Sequence, residues 1–244
     1  MSTWMPWKIA RKELKVISRK KSIVLYIIIL PLLLSVIFSL VVKNQIAPSS
    51  GIPSTYQLGL ESLTYFFVVF AAIMPSSIAA YSIVGEKVEK SLEPLLATPT
   101  TDGEILLGKS IAAFVAPILP IWAGASIFMA ATDYLTHNEL SYYYFPNWNS
   151  GVMLLLLAPL AAIFSIELAV IASSRVSDVR SANQIGTLMF IPFMAVFLAG
   201  VEGVITFSID NLLIISGIVM IADSVLFFLS KSTFNREEIL TKWK

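Results

Sequence analysis

Long uncharged runs alternate along this chain with short segments in which its charges are gathered. Every residue between Lys21 and Lys43 is uncharged, as are the runs Ser62–Gly85, Ser110–Thr132, Leu140–Ile166 and Ser181–Val201. From Asn211 to Ser230 only Asp223 interrupts the pattern. A helix needs about 20 mainly apolar residues to cross the hydrocarbon of a bilayer, and each run supplies them. The strands of a β-barrel would be shorter and would alternate in polarity, which these runs do not. The pattern therefore predicts an all-α membrane protein, 1–244, forming a single transmembrane domain. Its six spans are expected at about 22–42, 62–85, 105–132, 151–172, 182–202 and 211–230.

Composition agrees, with 57% hydrophobic and 14% charged residues against about 25% charged in soluble domains. Charge adds direction. All 17 lysines and arginines except Lys43 fall on one side of the predicted spans. The positive-inside rule places that side, with both termini, in the cytoplasm of a multi-pass cell-membrane protein. The first apolar run, Ser22–Val42, is too long for a signal-peptide core and no A-x-A site follows it, so it reads as a retained span. There is no cysteine, which removes thiol chemistry, and His137 is the only histidine. A zinc site or a histidine-based triad has no support.

Ahead of the first span, Trp4, Trp7, Ala10, Leu14 and Ile17 recur at spacings of three and four, with Lys8, Lys12, Lys15 and Arg19 on the neighbouring face. Pro6 suits a first helical turn. Residues 1–21 thus predict a basic amphipathic helix lying in the membrane interface among anionic headgroups, as a plain anchor or as an elbow that also packs on a partner.

Gly103-Glu104-Ile105-Leu106-Leu107-Gly108-Lys109-Ser110 satisfies the phosphate-loop pattern G-x-x-x-x-G-K-[ST]. That motif works only between a buried strand and a helix of a soluble α/β sheet. Here two prolines, Pro94 and Pro99, lie ahead of it and a transmembrane run follows. Thr101 and Glu104 read instead as a capping box that opens the third span.

The loop after the second span carries an apolar stripe, Val84, Val88, Leu92, Leu95 and Leu96, framed by Glu86, Lys87, Glu89, Lys90 and Glu93. It reads as the second span continuing past the membrane, then a short amphipathic helix stopped near Pro99. Its leucine face is covered by the chain's own helices, by the membrane surface or by a partner.

Gly85-Glu86-Lys87, then Leu92-Glu93-Pro94-Leu95-Leu96-Ala97-Thr98-Pro99, then Ile105-Leu106-Leu107-Gly108-Lys109 resembles the membrane subunits of ABC-2 type ABC transporters, especially the sodium- and drug-export permeases. Their loop runs G-E-[RK]-E-x-G-T-L-E-x-L-L-x-T-P ahead of I-L-L-G-K, and this chain departs from it at Lys90-Ser91. Ser174-Arg175, Asp178, Arg180 and Asn183-Gln184 are similar to the family's second cytoplasmic loop. The basic N-terminal helix and the six predicted spans extend the resemblance over nearly the whole chain.

The resemblance implies a permease subunit of an ATP-driven exporter, not itself an enzyme. The loop 86–104 would be its coupling region, with Glu86, Glu89, Leu92, Glu93, Leu95, Leu96, Thr98 and Pro99 docking in a separate ATP-binding subunit. A second permease chain, identical or different, would complete the path. ATP and magnesium would sit on the partner subunit, with no cofactor or metal on this chain. Membrane lipids are expected contacts and nucleic acid is not.

Glu167 and Asp223 lie within predicted spans, where an ionised group costs about 2.5–3.5 kcal/mol on insertion scales. They are candidates for binding or relaying a cation, or are neutralised by protonation or by neighbours near the inner surface. Glu202, before Gly203-Val204-Ile205-Thr206-Phe207, marks a candidate outer gate or an ordinary span end. Tyr142-Tyr143-Tyr144-Phe145-Pro146-Asn147-Trp148 reads as an interfacial aromatic belt beside His137. The alternative function is an ion-coupled secondary transporter or channel using Glu167 and Asp223. A membrane-embedded enzyme would need a nucleophile–base pair or metal ligands at membrane depth, and no such set is visible.

Overall fold

The computed structural model describes residues 4–46, 53–88, 101–140, 142–175 and 190–233, together with Ser181, Gln184 and Leu188. Among these residues all regular structure is helical. Helix α1 is Trp4–Arg19, α2 Lys21–Val41, α3 Pro53–Val88 and α4 Asp102–Leu140. After a short α5, Trp148–Val152, come α6, Ala158–Arg175, α7, Ile191–Val201, and α8, Ile209–Thr233. Val42–Ile46 extends α2 as a π-helical turn, and Met153–Leu157 joins α5 to α6 in the same way.

Five stretches are long and apolar enough to cross a membrane: Lys21–Asn44, Tyr56–Ser82, Gly103–His137, Trp148–Ser173 and Ile209–Ser230. The sixth run expected from the sequence, 182–202, contributes the 11-residue helix α7; much of its first half lies outside the described residues. Helices α3 and α4 have 36 and 39 residues. At 1.5 Å per residue they are roughly 54 and 58 Å long, well beyond a hydrocarbon core of about 30 Å. They therefore extend past the uncharged runs that announce them, α3 back through Glu61 and α4 back through Lys109.

Burial ranks the helices. Within its apolar stretch α3 is 78% buried, whereas that of α2 is 22% and that of α8 17%. Helix α3 is the central element, packed against α6, α4 and α7, with α2 leaning on α4 and α8 on α6. Lipid offers no hydrophobic drive between apolar helices, so close packing of small residues must supply the attraction. Ala71, Ala72, Ala79 and Ala80 of α3 and Ala158, Ala161, Ala162 and Ala169 of α6 are buried accordingly. Gly124 of α4 lets the backbone of Pro31 in α2 come so near that a Cβ would lie 2.8 Å from the Pro31 carbonyl oxygen.

Several serine and threonine hydroxyls in the bundle donate to a carbonyl one turn back, which satisfies them without water. Ser35 donates to the Leu32 carbonyl at 2.6 Å, Thr64 to Leu60 at 2.8 Å and Ser216 to Leu212 at 2.7 Å. The Trp122 indole donates at 2.8 Å to the Leu154 carbonyl, which sits in the π-helical turn Met153–Leu157, where the regular hydrogen-bond ladder is interrupted.

Replacing Gly124 by Val is expected to push α2 off α4 and to destabilise the bundle by about 1–3 kcal/mol. Gly151→Ala, whose Cβ meets nothing within 4 Å, should be neutral or slightly stabilising. Thermal unfolding of the two variants in detergent checks the contrast, and equal melting temperatures would remove the close-approach account.

Candidate functional site

The end of the bundle that carries α1 is organised around one buried cation. Lys109 is 2% exposed, although its position in the charge pattern marks it as a loop lysine. Its ammonium donates at 2.8 Å to the Ser82 carbonyl and at 3.0 Å to the Ser82 hydroxyl, and it pairs at 3.4 Å with Glu13 Oε1. Ser82 Oγ in turn donates at 2.9 Å to Glu13 Oε2. Donors of the ammonium thus reach both α1 and α3, and one network joins α1, α3 and α4.

Gly108 makes this geometry accessible. A Cβ there would meet Ile9 Cβ at 2.6 Å and the Pro6 carbonyl oxygen at 2.8 Å, so only glycine lets α1 lie this close across α4. The face that α1 buries is Ala10, Glu13 and Ile17, while Trp7 is 57% exposed. That face is rotated from the expected tryptophan-bearing stripe toward Glu13, because the carboxylate must reach Lys109.

The same geometry disposes of the phosphate-loop pattern. Gly103–Ser110 is helical throughout, so its amides have no concave loop in which to gather around a phosphate, and its lysine is already engaged. The helix opens on the expected capping box. Thr101 N and Oγ1 donate to Glu104 Oε2 at 2.9 and 3.0 Å, and Glu104 N donates back to Thr101 Oγ1 at 3.3 Å.

Helices α3 and α4 flank residues 89–100. Of the expected coupling residues, Glu86 lies on the last turns of α3, and its side chain is outside the described residues. Glu89, Leu92, Glu93, Leu95, Leu96, Thr98 and Pro99 also lie outside them. Both stems of that segment are held, since Ser82 and Lys109 stand about two helical turns from its two ends.

The intramembrane carboxylates lie on neighbouring helices. Glu167 of α6 is 8% exposed and Asp223 of α8 is 7%, and the two helices pack along one another. Glu167 Oε2 and both Asp223 oxygens are buried without a hydrogen-bond partner among the described residues. Glu202 does not join them. It is exposed and follows the last residue of α7, at the opposite end of the bundle from α1.

That far end has an acid-based closure that the sequence pattern did not single out. Asp133 accepts from the Tyr144 and Phe145 amides, both at 3.1 Å. Glu61 accepts from Tyr144 OH at 3.1 Å and from Asn149 Nδ2 at 2.5 Å. Burial, and then the charge of Glu61 beside it, push the Tyr144 hydroxyl above its ordinary value, so it stays a donor at physiological pH. His137 stacks on Tyr143 with ring centroids 4.5 Å apart. A cavity of about 600 Å³ opens here, lined by Lys43, Asp133, Tyr134, His137 and Tyr143 among others. Phe207 stacks on Tyr65 with ring centroids 4.9 Å apart and occupies the notch left by Gly200.

Glu13 could have been found from the sequence. It is the one acidic residue in the first 21, and it falls three after Ala10 and four before Ile17, on their face. Ser82, Glu61 and Asp133 carry no comparable signal, because each sits at the edge of an uncharged run where a polar residue is ordinary.

A helical bundle with several apolar spans and no strand among its described residues defines a multi-pass membrane protein. A family model described as ABC-2 family transporter protein matches residues 7–243, and the chain belongs to that family. No curated protein matches the chain. Membership makes it an ABC permease, a membrane subunit of a kind that is typically not an enzyme and that works with an ATP-binding partner.

Lys109→Met would leave the Glu13 carboxylate buried without its cation and is expected to cost about 3–5 kcal/mol, whereas Glu13→Leu/Lys109→Met should recover most of that loss. Unfolding of both variants in detergent checks this. A single variant as stable as the wild type would mean that the network holds nothing together.

Proposed function

We propose that this chain is the translocating permease subunit of an ATP-driven exporter, with both termini cytoplasmic and the segment 86–99 docking on a separate ATP-binding subunit. The family match over 7–243 carries the reading. The architecture at the basic end supports it. Two helices longer than the membrane run into and out of the proposed docking segment, and the Glu13–Ser82–Lys109 network ties both to α1, the proposed elbow helix. Movement of the docked partner would then reach the bundle through stems held in register. A second permease chain would complete the pathway, and ATP and magnesium would belong to the partner subunit.

Co-expression with the ATP-binding subunit encoded alongside, followed by co-purification in mild detergent, tests the docking segment. The wild type is expected to retain the partner, and Leu92→Arg/Leu96→Arg to lose it while keeping its own melting temperature. A wild type that purifies alone and still transports would overturn the reading.

A second role is favoured by one observation, that oxygens of Glu167 and Asp223 are buried with no hydrogen-bond partner among the described residues. Two carboxylates in that setting call for a proton or another cation, and a permease that exchanges such a charge would couple transport to it. Glu167→Gln and Asp223→Asn are expected to abolish the dependence of transport on pH or on external sodium while leaving partner binding intact. Unchanged cation dependence in both variants would reduce the pair to a structural feature.

A further inference from the structure

Helices α2 and α3 do not stay together along their length. Pro31 draws the middle of α2 onto Gly124 of α4, and toward α1 an opening of about 440 Å³ remains between α2 and α3. Ile23 and Ile27 form one wall and Ile73, Met74 and Ile78 the other, with Ile17 of α1 closing the end. The lining is mainly apolar, with Tyr26 and Ser77 as its polar members away from the mouth, and a surface of that kind within a bilayer suits hydrocarbon.

The wall alone does not choose among lipids; the mouth does. The break between α1 and α2 falls at Lys20, whose φ and ψ of −91° and 89° leave the helical region. That break collects Arg19, Lys20 and Lys21 within one turn of Ser22, which lines the opening. The Lys20 ammonium stands 3.9 Å from the centroid of the Tyr81 ring, and Tyr81 is itself part of the wall. A cation is thereby held over the groove, with the exposed Arg19 and Lys21 beside it.

We propose that the groove between α2 and α3 seats an acyl chain of an anionic phospholipid, whose phosphate is held by Arg19, Lys20 and Lys21. The fit rests on charge complementarity at the mouth and on the continuity of cationic collar and apolar channel, which matches the order of headgroup and tail in a lipid. This site is independent of the nucleotide-driven reading above and concerns only the membrane-embedded chain.

The test is native mass spectrometry of the full chain after exchange into phosphatidylglycerol or phosphatidylcholine carrying the same acyl chains. The wild type is expected to retain phosphatidylglycerol about tenfold better, given the attraction of basic residues for anionic headgroups. Lys20→Gln/Lys21→Gln should lose that preference while still holding either lipid, and Ile78→Trp, which fills the channel, should lose both. Lys21 is exposed and Lys20 is half-buried at the mouth, outside the packed interior, so the first variant remains informative if the second fails to fold. Equal retention of the two lipids by the wild type would overturn the proposal, as would a preference unchanged in the lysine variant. So would disulfide-linked dimers formed through Ile23→Cys in this otherwise cysteine-free chain, because the groove would then be covered by a second copy.

Discussion

A lysine ammonium sealed inside a helical bundle has no water to turn to, so everything it needs must be brought to it by the chain. Around Lys109 this requirement decides the arrangement of three helices at once. Helix α1 must present a carboxylate, α3 must present a serine at a matching height, and α4 must carry a glycine next to the lysine so that α1 can come near enough. Buried pairs of this kind stabilise little compared with an apolar replacement, but removing one member is costly. Their attested use is to fix register, and here the register fixed is that of the two helices on either side of residues 89–100.

The opposite end solves a different problem by related means. The loop after α4 has to return over the bundle to begin α5, and its amides at Tyr144 and Phe145 would lie buried without acceptors. Asp133 receives both, and Glu61 takes the Tyr144 hydroxyl and the Asn149 amide. The two ends therefore contrast. One holds a cation among acceptors and the other holds carboxylates among donors, while the apolar middle is left to alanine, glycine and aromatic packing.

Much of the architecture was legible because lipid imposes a simple code. Absence of charge over some twenty residues marks a helix, and the runs between Lys21 and Lys43, from Ser62 to Gly85, from Ser110 to Thr132 and from Asn211 to Ser230 all fall inside helices. The capping box at Thr101–Glu104 was legible because its chemistry is local. The same code was silent on the burial of Lys109, since counting charge cannot distinguish a lysine facing water from one facing a carboxylate 96 positions away. The face of α1 was likewise read from hydrophobicity, whereas the surface it meets sets Ser82 and Lys109 beside an apolar cluster. The burial of Glu167 and Asp223 depends on how α6 and α8 pack, which no spacing within either helix encodes.

Helix α4 is anchored near both extremities, by Lys109 toward one and Asp133 toward the other, and Pro117 and Pro120 lie near its midpoint. A rod held in this way, with prolines that remove hydrogen bonds at its middle, bends there more readily than it slides at either end. With half-lengths of roughly 29 Å, a bend of about 5° at the centre carries one tip about 2.5 Å relative to the other half. The midpoint is the compliant part and the anchored ends are the stiff ones, so the two halves of the helix can change their mutual angle while both end networks stay intact.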